Sequence, residues 1–172
     1  MQRLLEIDQN LTKQLQLPPE TPAWIRRFLD IVAHTADWWL WTLIPLIIGL
    51  VYPAWKTRML ALAAGVFGLA LIITLIKTLA RRARPDPVDS AALLKIDAHS
   101  FPSGHAARVV FLAIIAFLFG WPFLGILGLL WTVLVSYSRM VTGHHYLTDV
   151  IFGLVIGVIA ALAFWKLILM ML

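Results

Sequence analysis

The stretch MLALAAGVFGLALIITLI, residues 59–76, holds 18 residues without a charge and stops at Lys77. A helix needs about 20 predominantly apolar residues to cross the hydrocarbon of a bilayer, so this run is predicted to span one. Other runs lie to either side of it: residues 38–52 before it, and 106–121, 123–137 and 150–172 after it. Arg108 interrupts the third run near its start, Pro122 parts the third from the fourth, and Lys166 lies near the end of the fifth. Trp38, Trp39 and Trp41 flank one end of the 38–52 run and Trp55 the other, as in the aromatic belts of two membrane–water interfaces. In the last run Gly153, Gly157 and Ala161 recur every four residues, which predicts close approach by another helix.

Composition points the same way. Of 172 residues, 61% are hydrophobic and 13% charged, where soluble domains carry about 25% charged residues. The mean hydropathy is +0.87. There is no cysteine, which excludes disulfides, thiol catalysis and cysteine-ligated metals. The formal charge of +5 does not indicate nucleic acid, because the basic residues adjoin apolar runs. The expected partners are the bilayer's anionic head groups and a lipid phosphate substrate.

Residues 1–17 are not read as a cleavable leader, since Glu6 and Asp8 stand where its apolar core would be. Leu4, Ile7, Leu11 and Leu15 recur there at helical spacing, which predicts an amphipathic helix lying on the membrane surface. Pro18 and Pro19 end it, and residues 23–37, with Arg26, Arg27 and Asp30, are too polar to span alone. The expected organisation is an interfacial segment, 1–36, and a transmembrane catalytic bundle, 37–172. The fold class is all-α: a polytopic bundle of five spans plus the N-terminal helix, up to six helices.

Spans that alternate in direction bring the ends of the second and fourth and the starts of the third and fifth to one membrane face. Most of the unusual polar residues lie there. Lys77 is followed after six residues by Arg84-Pro85; Phe101-Pro102-Ser103-Gly104-His105 opens the third span; Ser138-Arg139 is followed after five residues by His145 and then, after three more, by Asp149. This is a kit for phosphate. Arg84 and Arg139 present planar forks that grip two oxygens at once, and Lys77 is a point charge. Ser103 and Gly104 should open a helix whose free N–H groups and dipole favour an anion, with no Gly104 side chain to block its approach.

The histidines divide the remaining work. His145 and Asp149 are four apart and share a helix face. A carboxylate bonded to one imidazole nitrogen fixes the tautomer and leaves the other free to attack phosphorus. His105 is the candidate to protonate the leaving oxygen. His144 is the alternative nucleophile, turned away from that face.

These three parts, Lys77-x6-Arg84-Pro85, Pro102-Ser103-Gly104-His105 and Ser138-Arg139-x5-His145-x3-Asp149, together resemble the signature of the type 2 phosphatidic acid phosphatase superfamily. The resemblance runs over residues 30–165. It implies a helical bundle, a phosphohistidine on His145, His105 as general acid, and no metal or other cofactor. One departure is Val141, where many members carry an aromatic residue; it bears on substrate contacts and not on the chemistry.

Several residues are read more plainly. Arg26, Arg27, Arg81, Arg82 and Lys95 are taken as snorkelling anchors. Arg108 should reach back toward the site or the head groups, because an arginine deep in the bilayer costs roughly 2.5–3.5 kcal/mol. Asp86, Asp89 and Asp97 show no metal-ligand pattern, and His99 is expected in solvent. The short loops place the site at the membrane–water interface, which favours a lipid phosphate or pyrophosphate over a soluble ester: isoprenoid, phosphatidate or lipid A in type, with the small size closest to isoprenoid-lipid phosphatases. Lys and Arg number eleven on the site face against three opposite, or eight once Lys77, Arg84 and Arg139 are set aside. That bias points inward, yet the resemblance implies an outer-face site, which is the expectation adopted. The rivals are a non-enzymatic lipid-binding or transport protein, which needs no nucleophile, and a vanadate-dependent haloperoxidase-like protein.

Overall fold

A computed structural model describes residues 2–85 and 99–171. Asp86, Asp89, Lys95 and Asp97 lie outside the described residues. Those described fold into seven α-helices, with a single 3-10 turn at Pro53–Trp55. They are α1 (Gln2–Leu15), α2 (Ala23–His34), α3 (Trp38–Val51), α4 (Lys56–Ala80), α5 (Gly104–Leu118), α6 (Pro122–Val141) and α7 (Leu147–Met171).

All five apolar runs are helical, but in different ways. Among the described residues three segments are long and apolar enough to cross a membrane: Pro53–Ala80, Pro122–Val141 and Leu147–Met170. The 38–52 run is the second half of a bent pair, α2 with α3, which meets the same test as one span broken by 48°. The third run, α5, has only 15 residues. Ten of those are buried, so α5 is the centre of the bundle and presents little surface to lipid. The helix count exceeds the expected six because residues 23–34 form a helix of their own, burying Leu29, Val32 and Ala33.

Local chemistry sets the ends. Arg81 adopts a left-handed conformation (φ 49°) and its N–H closes on the Lys77 carbonyl at 3.0 Å, ending α4. Ser103 caps α5, its Oγ accepting from the Ala106 N–H at 3.5 Å. Gly120, at φ 79°, takes the positive φ that ends α5, and Pro122 stands in the first turn of α6, where a missing N–H is harmless.

Met59, Leu62, Val66, Leu69 and Ile73 recur at three- and four-residue steps along α4 and meet Phe111, Leu112 and Ile115 of α5. The outside is as apolar as the inside, with Leu75 and Leu79 of α4, Phe123 and Val133 of α6 and Ile159 of α7 all exposed. A bilayer removes most of the hydrophobic drive between helices, so association depends on close packing. Gly157 shows it: a Cβ there would strike the Ala107 carbonyl, and one at Gly153 would strike the Ser103 carbonyl. Ala161 is fully buried on the same stripe. The expected close approach is between α7 and α5.

Candidate active site

That approach seats the start of α5 against the start of α7. The Ser103 N–H donates to the Asp149 backbone carbonyl at 2.9 Å, which ties the Ser103-Gly104 turn to the third cluster. A Cβ on Gly104 would lie 3.2 Å from Ile73 and 3.8 Å from the Arg108 guanidinium, so α4 and α5 also close tightly here. Lys77 and Arg139 are buried, and Arg84 is half-buried.

His145 is 1% exposed, in the turn between α6 and α7. Its Nδ1 lies 2.7 Å from the carbonyl oxygen of Ser100. A carbonyl only accepts, so Nδ1 carries the proton and donates, and Nε2 keeps its lone pair. Burial first, then the positive charges of Arg139, Lys77 and Arg84 and the neighbouring His105, hold its pKa well below the usual 6.5. The ring is therefore neutral at neutral pH, as a nucleophile must be. His144 instead pairs through Nδ1 with the Thr142 hydroxyl at 2.8 Å.

The expected bond between His145 and Asp149 is replaced by a longer contact. Asp149 Oδ2 stands 3.8 Å from His145 Nδ1, beyond a hydrogen bond. The Ser100 carbonyl has taken that nitrogen. Asp149 is fully buried, and its oxygens go elsewhere: Oδ2 accepts from the Tyr146 N–H at 2.9 Å, capping α7, and Oδ1 accepts from Arg82 at 2.7 Å.

Arg82 is therefore no snorkelling anchor. Its guanidinium bonds Asp149 at 2.7 Å, the Thr148 hydroxyl at 2.8 Å and Asp8 of α1 at 2.6 Å, and lies 4.0 Å above the Tyr146 ring. Asp8 and Thr12 are buried, and they satisfy the open N–H groups at the start of α7: Thr148 N–H to Asp8 at 3.1 Å, Leu147 N–H to Thr12 at 3.0 Å. The spacing of Asp8 and Thr12, one turn apart on one helix face, is the signal that could have found them. Nothing in the sequence marks Ser100, whose Oγ and N–H bond Ala83 and Arg82 carbonyls at 2.9 and 2.8 Å. His99 beside it is half-buried, not in solvent, because that anchorage draws the strand of backbone inward.

His105 has a partner that sequence reading also missed. Its Nε2 lies 3.1 Å from Asp37 Oδ1, in the break between α2 and α3. Arg108 turns back as expected: it is buried, and its guanidinium donates to the Ala36 carbonyl of the same break. Among the described residues, no three His, Asp or Glu gather as a metal site.

The chain spans less than two thirds of the length of each of two curated relatives. An undecaprenyl-diphosphatase of Sulfolobus acidocaldarius is 44% identical over 59 residues, 34% of this chain and 29% of that protein. Undecaprenyl-diphosphatase BcrC of Bacillus subtilis is 35% identical over 121 residues, 64% of this chain and 59% of that protein. Two crystal structures share the fold. A transmembrane PAP2 type phosphatidylglycerolphosphate phosphatase from Bacillus subtilis superposes with a TM-score of 0.76 at 20% identity, covering 97% of this chain and 87% of that one. LpxE of Aquifex aeolicus gives 0.70 at 19% identity, covering 91% and 93%. The family model of the PAP2 superfamily matches residues 58–170, a stretch that holds all three motifs and both histidines. With that stretch covering more than half of the chain and its motifs gathered at one end of the bundle, this membrane protein belongs to the PAP2 superfamily.

Proposed function

We propose that the protein is a phosphatase of lipid phosphates or pyrophosphates, working through a phosphohistidine on His145 and without a metal. The observation that carries this is the state of His145: buried, neutral, its Nδ1 proton given to the Ser100 carbonyl, its Nε2 lone pair left among Lys77, Arg84 and Arg139. In this reading Nε2 attacks phosphorus, the three cations and the N–H groups at the Ser103-Gly104 helix start neutralise the equatorial oxygens, and His105 protonates the leaving oxygen. Asp149 holds the start of α7, and so the His145 turn, in place. These cations supply the charge that a metal would otherwise bring.

The names of the two relatives support an isoprenoid pyrophosphate as substrate. Of the expected interfacial segment, residues 1–36, the exposed Leu5, Ile7, Leu11 and Leu15 support α1 as interfacial, whereas α2, bent against α3, goes with the catalytic bundle of residues 37–172. We take the site to open on the outer face. Supporting this, Arg82 and Arg108 are held inside the structure and carry no topological weight, which cuts the basic excess on the site face to six against three.

Purified protein in detergent micelles, given a panel of lipid phosphates and pyrophosphates, should release phosphate, most from a polyprenyl pyrophosphate. EDTA should leave the rate unchanged, and vanadate should inhibit competitively. Loss of activity with EDTA, restored by magnesium, would remove the metal-free mechanism. No phosphate release from any member of the panel would remove the enzyme.

A further inference from the structure

Every residue in the break between α2 and α3 is tied down. The Thr35 hydroxyl accepts from the Trp131 indole at 2.9 Å, and the Thr35 carbonyl accepts from that of Trp41 at 2.8 Å. The Ala36 carbonyl takes the Arg108 guanidinium. Asp37 stands at the start of α3, where an aspartate usually caps the helix, yet its side chain makes no capping bond. Both its oxygens go to histidines instead: Oδ1 to His105 Nε2 and Oδ2 to His34 Nδ1, each at 3.1 Å. A carboxylate that forgoes its local partner for a ring 68 positions along the chain is set there by the tertiary structure.

Resting on the phosphatase reading above, we propose that Asp37 is a positioning residue for the general acid, holding His105 by Nε2 so that its Nδ1 proton serves the leaving oxygen. An imidazolium has two N–H groups. Asp37 accepts one, and the other remains for the substrate. Burial first, then the guanidiniums of Arg139 and Arg108, outweigh Asp37 in the unliganded enzyme and hold the His105 pKa down to about 3; Asp37 is the group that favours the cation. A bound phosphate offsets the guanidiniums and joins Asp37 in favouring the cation.

The cycle balances without another reagent. As the His145 Nε2–P bond forms and the P–O bond breaks, the leaving oxygen takes the Nδ1 proton of His105. Water then attacks phosphorus and gives a proton to Nδ1. The P–N bond breaks with His105 again the cation on Asp37, and inorganic phosphate then departs. His34, 68% exposed at the other carboxylate oxygen, marks the outer end of this chain of groups.

The test separates leaving groups. Full-length wild type, Asp37→Asn, His105→Ala and the double variant are assayed with a polyprenyl monophosphate, which leaves as an alkoxide, and with p-nitrophenyl phosphate, which needs little protonation. Asp37→Asn should lower kcat on the lipid roughly 10- to 100-fold, a part of what general acid catalysis supplies. KM should stay within about threefold, as should the rate on p-nitrophenyl phosphate. In the His105→Ala background the substitution should add almost nothing, because the two act as a unit. Equal losses on both substrates, or independent effects in the double variant, would overturn the proposal. If Asp37→Asn gives no folded protein, Asp37→Ser offers a hydroxyl that can cap α3 without the charge and faces the same criteria. A wild type inactive on both substrates indicts the phosphatase reading, not Asp37.

Discussion

The two histidines are held in mirror fashion. His145 is gripped by Nδ1 and presents Nε2; His105 is gripped by Nε2 and presents Nδ1. The gripping groups differ in charge. The Ser100 carbonyl is a neutral acceptor, which orients a ring without favouring its cation. The Asp37 carboxylate orients the ring and favours the cation. A nucleophile must be neutral and a general acid charged, so each partner suits the role of its histidine. The surroundings follow suit: His145 is 1% exposed within a ring of cations, whereas His105 reaches a carboxylate that is itself in contact with solvent-exposed His34.

Removing each ring breaks the comparison most sharply. His145→Ala should lower turnover by on the order of 10⁴-fold or more and abolish the acid-labile phosphoenzyme, because the nucleophile itself is lost. His105→Ala should cost about 10²- to 10⁴-fold on an alkyl phosphate, less on a pyrophosphate, and still leave label on the enzyme. The measurement is trapping of radiolabelled phosphate in each variant. Label persisting on His145→Ala at the wild-type level would move the nucleophile, first to His144.

Next in size is the support beneath His145. Asp149 does not reach Nδ1, so its influence passes through the α7 cap and Arg82. Arg82→Met keeps much of the stem and removes three charge-assisted bonds. It should lower kcat roughly 10- to 100-fold with KM nearly unchanged, since Arg82 orients the machinery and does not grip phosphate. A large rise in KM with kcat intact would place Arg82 on the substrate instead. Asp149→Asn should fall in the same range and leave affinity nearly intact.

The motif residues were legible because phosphate chemistry demands particular residue types at helix ends, and the ends could be found from hydropathy. The close approach of α7 to α5 was legible too, from Gly153, Gly157 and Ala161. What escaped was long-range polar pairing. Arg82, Asp8 and Asp37 are ordinary surface residues by local sequence, and only the folded chain brings them to Asp149 and His105. Ser100 acts through its backbone carbonyl, a group every residue carries, so no sequence pattern could single it out. The break at residues 35–37 was hidden for another reason: polar residues in 23–37 suggested a segment outside the membrane machinery, when they mark a helix bent to bring Asp37 inward.

A pH profile sharpens the contrast with smaller effects. In the free enzyme the His145 pKa lies well below 6.5, so the active, deprotonated form is kept through neutral pH and lost only as pH falls through that lowered value. The acid limb of kcat/KM, which reports free enzyme, should therefore lie below pH 6.5. A bound phosphate cancels part of the cationic field, so the acid limb of kcat should sit at higher pH than that of kcat/KM. Arg139→Gln weakens the largest charge acting on His145 and should draw the kcat/KM limb upward. Limbs that coincide in wild type and do not move in this variant would show that His145 is not the titrating group.

The smallest expected effect concerns α1, whose polar edge meets the site while Leu5, Ile7, Leu11 and Leu15 stay exposed. Asp8→Asn keeps the shape and an acceptor for the Thr148 N–H, but removes the charge that shares Arg82 with Asp149. Arg82 then has a single carboxylate partner left, Asp149, so the grip on the α7 start persists while its anchorage to α1 loosens. Activity should fall only a fewfold, and the loss should vanish in an Arg82→Met background, because the substitution spares the Thr148 N–H contact and removes only the charge that acts through Arg82. Amide exchange gives the structural readout: α1 should lose protection while the α7 start keeps most of its own. If Asp8→Asn and Arg82→Met instead lower the rate independently, α1 acts on the site by a second route, and its contact with Thr12 at the Leu147 N–H is the one to break next.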